Sequence, residues 1–303
     1  MVGGSPWLVR AAILGALALT LTLAGPRAYT VLARRVRGAA VEASAPRAAV
    51  DRLGFRSTPG WLRGPLLLAV LADLEPRLQG RIVGLLDEAE AGALRAAVEA
   101  SPWVARVRLE RLFPDRFVAA LQLRRPVLQV LDAGGDEPLA LLDSDGVCLP
   151  PVAGTGLPRA LLWRDDRAAP TEPGAAHPDR RARVAARVAV EWRDQLVPAC
   201  PRAPRLLEVD TSNLDYAFLA DGRWSEVLVG VESEPGRTVY LAYGHPPGSP
   251  LPRVPVADKA MVLDSILAEH PKLAGLRAGD LRFVNRWRDW LLPRQPPSVA
   301  GAR

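Results

Sequence analysis

Two runs of alternating apolar and polar residues flank a hinge at Leu112-Phe113-Pro114-Asp115 and set the reading of the chain around them. Trp103, Ala105, Val107 and Leu109 share one parity while Arg106, Arg108 and Glu110 share the other, as a half-buried strand requires. After the hinge, Phe117, Ala119, Leu121 and Leu123 oppose Gln122 and Arg124, which predicts a hairpin. Upstream, Asp87 and Glu90 stand three apart ahead of Leu94 and Val98, a capping-box pattern that opens a helix, and Pro102 ends it near Ala100. Pro65 suits the first position of an earlier helix, whose apolar run Leu66 to Leu74 is too short to cross a bilayer and reads as buried.

Beyond Pro126, Val127 to Leu131 and Pro138 to Leu142 predict a second hairpin. Asp143-Ser144-Asp145-Gly146 reads as a tight turn, because an EF-hand needs a loop of about twelve residues closing on Glu, and Val147-Cys148-Leu149 follows here. Val184, Val188, Trp192 and Leu196 recur every four residues, a helical stripe with Arg180, Arg181, Arg183, Arg187 and Arg193 mostly on the solvated side. Strands are expected at Leu206 to Val209, Tyr216 to Leu219, Glu226 to Val231 and Thr238 to Tyr243. A helix over Ala257 to Glu269 is expected to bury Met261, Ile266 and Leu267. Leu281, Phe283, Asn285 and Trp287 then alternate with Arg282, Val284 and Arg286 in a final strand.

The amino-terminal part follows another pattern, since Ala11 to Pro26 runs sixteen residues without a charge. A spanning helix needs about 17 to 25 apolar residues, a length that Leu8 to Ala24 just reaches if Arg10 snorkels. The stretch also fits a cleaved signal, with Arg10 before an apolar run and Thr22-Leu23-Ala24 as the cleavage site. Arg27, Arg34, Arg35 and Arg37 behind it favour a cytoplasmic body. Insertion from so close to the start favours an extracytoplasmic one, which is the orientation expected. The chain thus reads as a short tail (1–10), a spanning or signal segment (8–26), a linker (27–60), a helix-and-hairpin module (61–126), a strand-rich domain (127–292) and a disordered tail (293–303). The fold class is α+β.

Composition narrows the function more than the fold. Of 39 cations only Lys259 and Lys272 are lysines, so the net charge of +6 is an arginine bias spread along the chain. No RNP, zinc-finger or basic-zipper signature accompanies it, and no nucleic-acid partner is expected. Cys148 and Cys200 build neither a disulfide framework nor a zinc site; a disulfide between them and two separately buried thiols both stay open. His177, His245 and His270 each precede a proline without an evident nucleophile or acid beside them. With no nucleophile elbow, phosphate loop or metal motif, the chain is expected to be non-enzymatic, with no cofactor, no metal and no small-molecule substrate.

The stretch from Leu94 to Val104 with its Ser101-Pro102-Trp103, the Phe113-Pro114-Asp115 turn, and Arg124-Arg125-Pro126-Val127 resembles the POTRA domain of the FtsQ/DivIB family of bacterial cell-division proteins. Phe113 stands where Trp is usual, and Arg124 where Glu is usual. Leu141 to Val147, Val209 to Ser212, Thr238 to Gly244, Lys259 and Gly279 to Phe283 are similar in order and spacing to the family's second domain. The family's first POTRA strand has no readable counterpart, and Trp61 to Leu78 fills its place with helix-like sequence. The resemblance implies an N-terminal transmembrane helix, a POTRA-like α/β module and a second mixed-strand β domain with flanking helices. It further implies a single-pass scaffold in the cell (inner) membrane, with its bulk extracytoplasmic and concentrated at the division septum, holding divisome partners of the FtsB/FtsL type. Strand addition along Leu281, Arg282, Phe283, Val284, Asn285, Arg286 and Trp287 is the expected mode of binding. The rival expectations are a POTRA-like module of another envelope assembly or secretion process, and a basic nucleic-acid-binding protein.

Overall fold

A computed structural model of the chain describes residues 47–49, 59–78, 81–84, 86–112, 116–131, 137–162, 172–217, 224–234 and 236–282. It is a mixed α/β protein with one large mixed sheet and few helices. Among the described residues no helix is long and apolar enough to cross a membrane, and the segment 8–26 lies outside them. The chain forms two compact units.

Of the described residues, the first unit takes in 47–49, 78, 81–84, 86–97, 108–112 and 116–120. Strand β1 (Arg47–Ala49) pairs antiparallel with β2 (Ile82–Gly84), Ala48 opposite Val83. The stretch 27–60 is therefore not linker throughout: it contains a strand whose three residues are too few to show a period in the sequence. Most of helix α2 (Glu88–Glu99) lies here, and Asp87 caps it, Oδ1 accepting from the N–H groups of Ala89 at 2.8 Å and Glu90 at 3.0 Å. The other half of the expected capping box is redirected, because Glu90 Oε2 accepts from Gly84 N–H at 2.6 Å and so ties the helix start to β2. Ala91, Leu94 and Val98 form its buried stripe. The predicted hairpin is present as β3 (Val104–Leu112) and β4 (Arg116–Leu123), which together form a two-stranded sheet.

The second unit takes in Ser57–Arg77, Val98–Val107 and Leu121–Arg303. Helix α1 (Gly64–Leu78) buries Leu66, Val70, Leu74 and Leu78 but leaves Leu68 and Leu71 at 69% and 40% exposure, so only one face of the apolar run is covered. Asp73 on α1 accepts from Ser101 Oγ at 2.5 Å, and Ser101 Oγ in turn accepts from Trp103 N–H at 3.2 Å. That chain of bonds fixes the bend after α2 and leaves Trp103 1% exposed. Arg124 N–H donates to Trp103 O at 2.8 Å, and its guanidinium meets Asp143, whose side chain is 4% exposed, at 2.8 Å. Arg124 thus has its own buried acid.

Beyond it lies an eight-stranded sheet in the order β12-β11-β10-β9-β8-β5-β6-β7. Its strands are β5 (Leu128–Leu131), β6 (Pro138–Leu142), β7 (Cys148–Leu149), β8 (Arg159–Leu161), β9 (Leu206–Asp210), β10 (Val227–Glu232), β11 (Thr238–Gly244) and β12 (Ala278–Asp280). The β5–β8, β8–β9 and β11–β12 pairs are parallel and the others antiparallel. Helix α3 (Arg180–Glu191) and helix α4 (Val256–Glu269) bury their apolar faces in one core with Val209, Val229 and Leu241. The four-residue spacing of Val184, Val188, Trp192 and Leu196 slips round a 3.6-residue helix by about 40° per step. The chain absorbs the slip in a π turn at Trp192–Leu196, so all four residues are buried.

Two expectations fail here. Tyr216 lies in a 3-10 turn (Leu214–Tyr216) with φ +56 instead of opening a strand, while 218–223 fall outside the described residues. Met261 points outward at 54% exposure, whereas Ile266 and Leu267 are buried.

Candidate functional site

The first two residues of the predicted pairing site, Leu281 and Arg282, follow the strand at the outer edge of the large sheet. β12 covers Ala278–Asp280 and runs parallel to β11, Tyr240 opposite Ala278 and Ala242 opposite Asp280. Leu281 and Arg282 follow as a bend instead of a strand, and Phe283, Val284, Asn285, Arg286 and Trp287 lie outside the described residues. Leu281 is fully buried, and its N–H donates to Ala242 O at 2.9 Å. In a parallel ladder that bond turns the main-chain groups of Gly279 and Leu281 toward β11 and those of Ala278 and Asp280 to the outer side. Gly279 packs closely on β11, since a Cβ there would sit 2.7 Å from Leu241 Cδ2 and make that side chain shift. Asp280 is 1% exposed and accepts from Arg282 N–H at 2.9 Å and from Arg282 Nη2 at 2.7 Å, so the acid at the strand end is paired within its own turn.

Beside the carboxy-terminal end of β11 is a polar cluster. Glu226, its side chain 3% exposed, accepts from Asp215 N–H at 3.0 Å and sits 2.5 Å from His245 Nδ1. Tyr216 meets the His245 ring edge-on at 6.2 Å between centroids. Asp215 and Tyr216 both hold positive φ, 59 and 56, a conformation costing about 1–3 kcal/mol per residue, which Glu226 helps to hold. The Tyr216 hydroxyl titrates above its ordinary range because of burial, with Glu226 adding to the effect and Arg282 opposing it.

A second polar cluster lies in the core; the sequence reading named Lys259 only as a matching position and did not pair it with Glu191. Glu191 at the end of α3 accepts from the Tyr243 hydroxyl on β11 and from Arg253, which precedes α4. Lys259 on α4 is fully buried, its Nζ 3.7 Å from Glu191 Oε1 and 3.4 Å from the centroid of the Tyr243 ring. Burial lowers the lysine to about 8, with Arg253 adding to the fall and Glu191 opposing it, and burial beside Glu191 raises the Tyr243 phenol. The signal for both charges was positional. Lys259 continues the stripe of Leu263 and Ile266, and Glu191 that of Val184 and Val188, where a solvated charge does not belong.

On the sheet face turned away from that core, Glu208 is 1% exposed and pairs with Arg159 at 2.8 Å and with the Tyr240 hydroxyl. Gly230 leaves room for it, because a Cβ there would meet Glu208 Oε1 and Thr238 Cγ2 at 2.9 Å each.

The remaining candidates resolve locally. Asp143 Oδ1 accepts from Asp145 and Val147 N–H at 2.9 Å each, making 143–146 a tight turn, and no group of metal-binding side chains occurs among the described residues. Cys148 and Cys200 are separate buried thiols, both raised chiefly by burial, Cys148 to about 11. On α3 Arg180 pairs with Asp215 and Arg181 with Asp179, and in the π turn after it Arg193 pairs with Asp194, as a solvated face does.

No protein-family model matches the chain, and a search of the curated proteins found no match either.

Proposed function

We propose that this chain is a non-enzymatic division scaffold of the FtsQ/DivIB type, a POTRA-like module joined to a mixed-strand β domain. In this reading 8–26 anchors it in the cell membrane with the body outside the cytoplasm. Partners of the FtsB/FtsL kind dock by adding a strand at the edge that β12 begins. The observation that carries the reading is the coincidence of two independent features: the alternating segment Leu281 to Trp287 follows directly from a strand at the outermost position of the large sheet. Because Ala278, Gly279 and Asp280 are themselves buried, the pairing surface of this reading extends from Arg282 onward. Main-chain bonds would supply affinity there and alternate side chains selectivity.

The test compares partner pull-down and circular dichroism for wild type and Val284→Pro, which removes one main-chain donor and forbids a ladder bond. Lost capture with an unchanged spectrum is expected. Retained capture by a folded variant removes strand addition from the account. A fluorescent fusion tests the setting separately, a midcell band being expected and a diffuse envelope signal contradicting it.

A further inference from the structure

At the end of the sheet where β9 begins and β10 finishes, an open cleft of about 520 Å³ collects cations from two parts of the chain. Arg202 and Arg205 come from the turn before β9, and Lys272 from the turn after α4; Pro204, Leu267 and Pro271 supply apolar wall. Glu232 is the single acid among the lining residues. Arg202 is already held by Asp264 at 2.6 Å. Arg205 donates one bond, to Gly156 O at 2.9 Å, and has no acidic partner among the described residues. Lys272 likewise has no acidic partner among them, although the chain has only one other lysine.

The cleft is built, not incidental. Lys272 and Leu273 both take positive φ, 55 and 59, in a turn that presents the lysine at the cleft wall. Ser233, 9% exposed, pins that turn from the end of β10, its hydroxyl donating to the carbonyls of Lys272 and Leu273 at 3.1 Å each. Two cations without an acidic partner among the described residues, beside an apolar wall in a volume within the range of about 300–1,000 Å³ usual for ligand sites, call for a compact anion with an aliphatic neighbour.

We infer that this cleft binds a carboxylate-bearing peptide segment, an acidic side chain followed by an aliphatic one, through Arg205 and Lys272. The wall of Leu267, Pro204 and Pro271 favours such a segment over a bare inorganic anion, which would leave it unused. The inference does not depend on strand addition at β12.

The probe is acetyl-Glu-Glu-Leu-amide titrated into the full chain in detergent micelles, followed by calorimetry at low salt. Acetyl-Gln-Gln-Leu-amide and inorganic phosphate serve as comparison ligands. Expected is saturable binding of the glutamate peptide, weakened about tenfold or more by glutamine replacement and by Arg205→Glu or Lys272→Glu, with Arg187→Glu as a remote control of equal charge change. Phosphate is expected to bind more weakly than the peptide. No saturation by about 10 mM, equal affinity for the glutamine peptide, phosphate binding as tight as the peptide, or an equal loss in Arg187→Glu overturns the inference. Circular dichroism of each variant separates lost binding from lost fold, and the single variants Arg205→Gln and Lys272→Gln repeat the test if a charge reversal unfolds the chain.

Discussion

Replacing Lys259 by methionine should make the protein more stable, not less. The ammonium is fully buried and its pKa lies at about 8 against an ordinary 10.5, so the native state resists the charged form by about 3 kcal/mol despite Glu191 and the Tyr243 ring. Between pH 8 and 10.5 the unfolded chain keeps a proton that the folded chain has released. Stability therefore rises with pH across that window by about the same 3 kcal/mol, and below it the folded state carries the whole cost. Lys259→Met removes the charge at nearly constant volume while Arg253 and Tyr243 still satisfy Glu191, so a gain of about 1–3 kcal/mol is expected at pH 7. Urea unfolding of both proteins at pH 7, 8, 9 and 10, followed by tryptophan fluorescence, gives the difference curve in which other titrations cancel. The gap between the proteins should shrink as pH rises. A variant less stable than wild type at pH 7, or a gap independent of pH, refutes the reasoning and would mean that the lysine is held by more than these neighbours.

Other outcomes follow from single contacts. Trp103→Ala should cost about 3–5 kcal/mol in chemical denaturation, as truncation of a fully buried aromatic does, and a cost below about 1 kcal/mol contradicts its place in the core. Gly146→Ala should cost about 1–3 kcal/mol in thermal melting, since φ is +77 and the new Cβ would lie 2.7 Å from Arg183 Cγ; an unchanged melt disposes of that contact. His177 is 2% exposed and burial holds its pKa below the ordinary 6.5, so the unfolded chain takes up a proton first and stability falls as pH drops below about 6.5. A His177→Gln protein should lose that part of the acid sensitivity, and an unaltered acid limb argues against it.

How much was legible depended on element length and on what each period had to be compared with. β3 and β4 were readable because eight or nine residues of alternation outweigh any helical alternative. β1, β8 and β12 have three residues each, less than any period can establish, and the β8 and β12 pairings are parallel, so their neighbours come from topology and not from an adjacent turn. The stripe on α3 was visible, but the π turn that keeps Leu196 buried showed only as a spacing slightly too long for a helix. At the candidate edge the sequence reading started the strand at Leu281 and missed Ala278–Asp280, because Ala278 and Gly279 lack the bulk that marks a strand. The burial of Glu191 with Lys259 was missed for another reason: charge composition averages over solvated residues, and only their place on two apolar stripes set them apart.

The position of β12 also bears on the order of synthesis. It is the last described strand along the chain, yet it occupies the outermost place in the sheet and reaches it only by a crossover through α4. Every other strand of that sheet is translated before it. A chain stopped short of Ala278 would offer β11 as its edge, with a different residue pattern and no Asp280–Arg282 fork at the end. The outer edge is thus built last among the described strands, and any truncation before Ala278 removes it while the seven strands before it stay encoded.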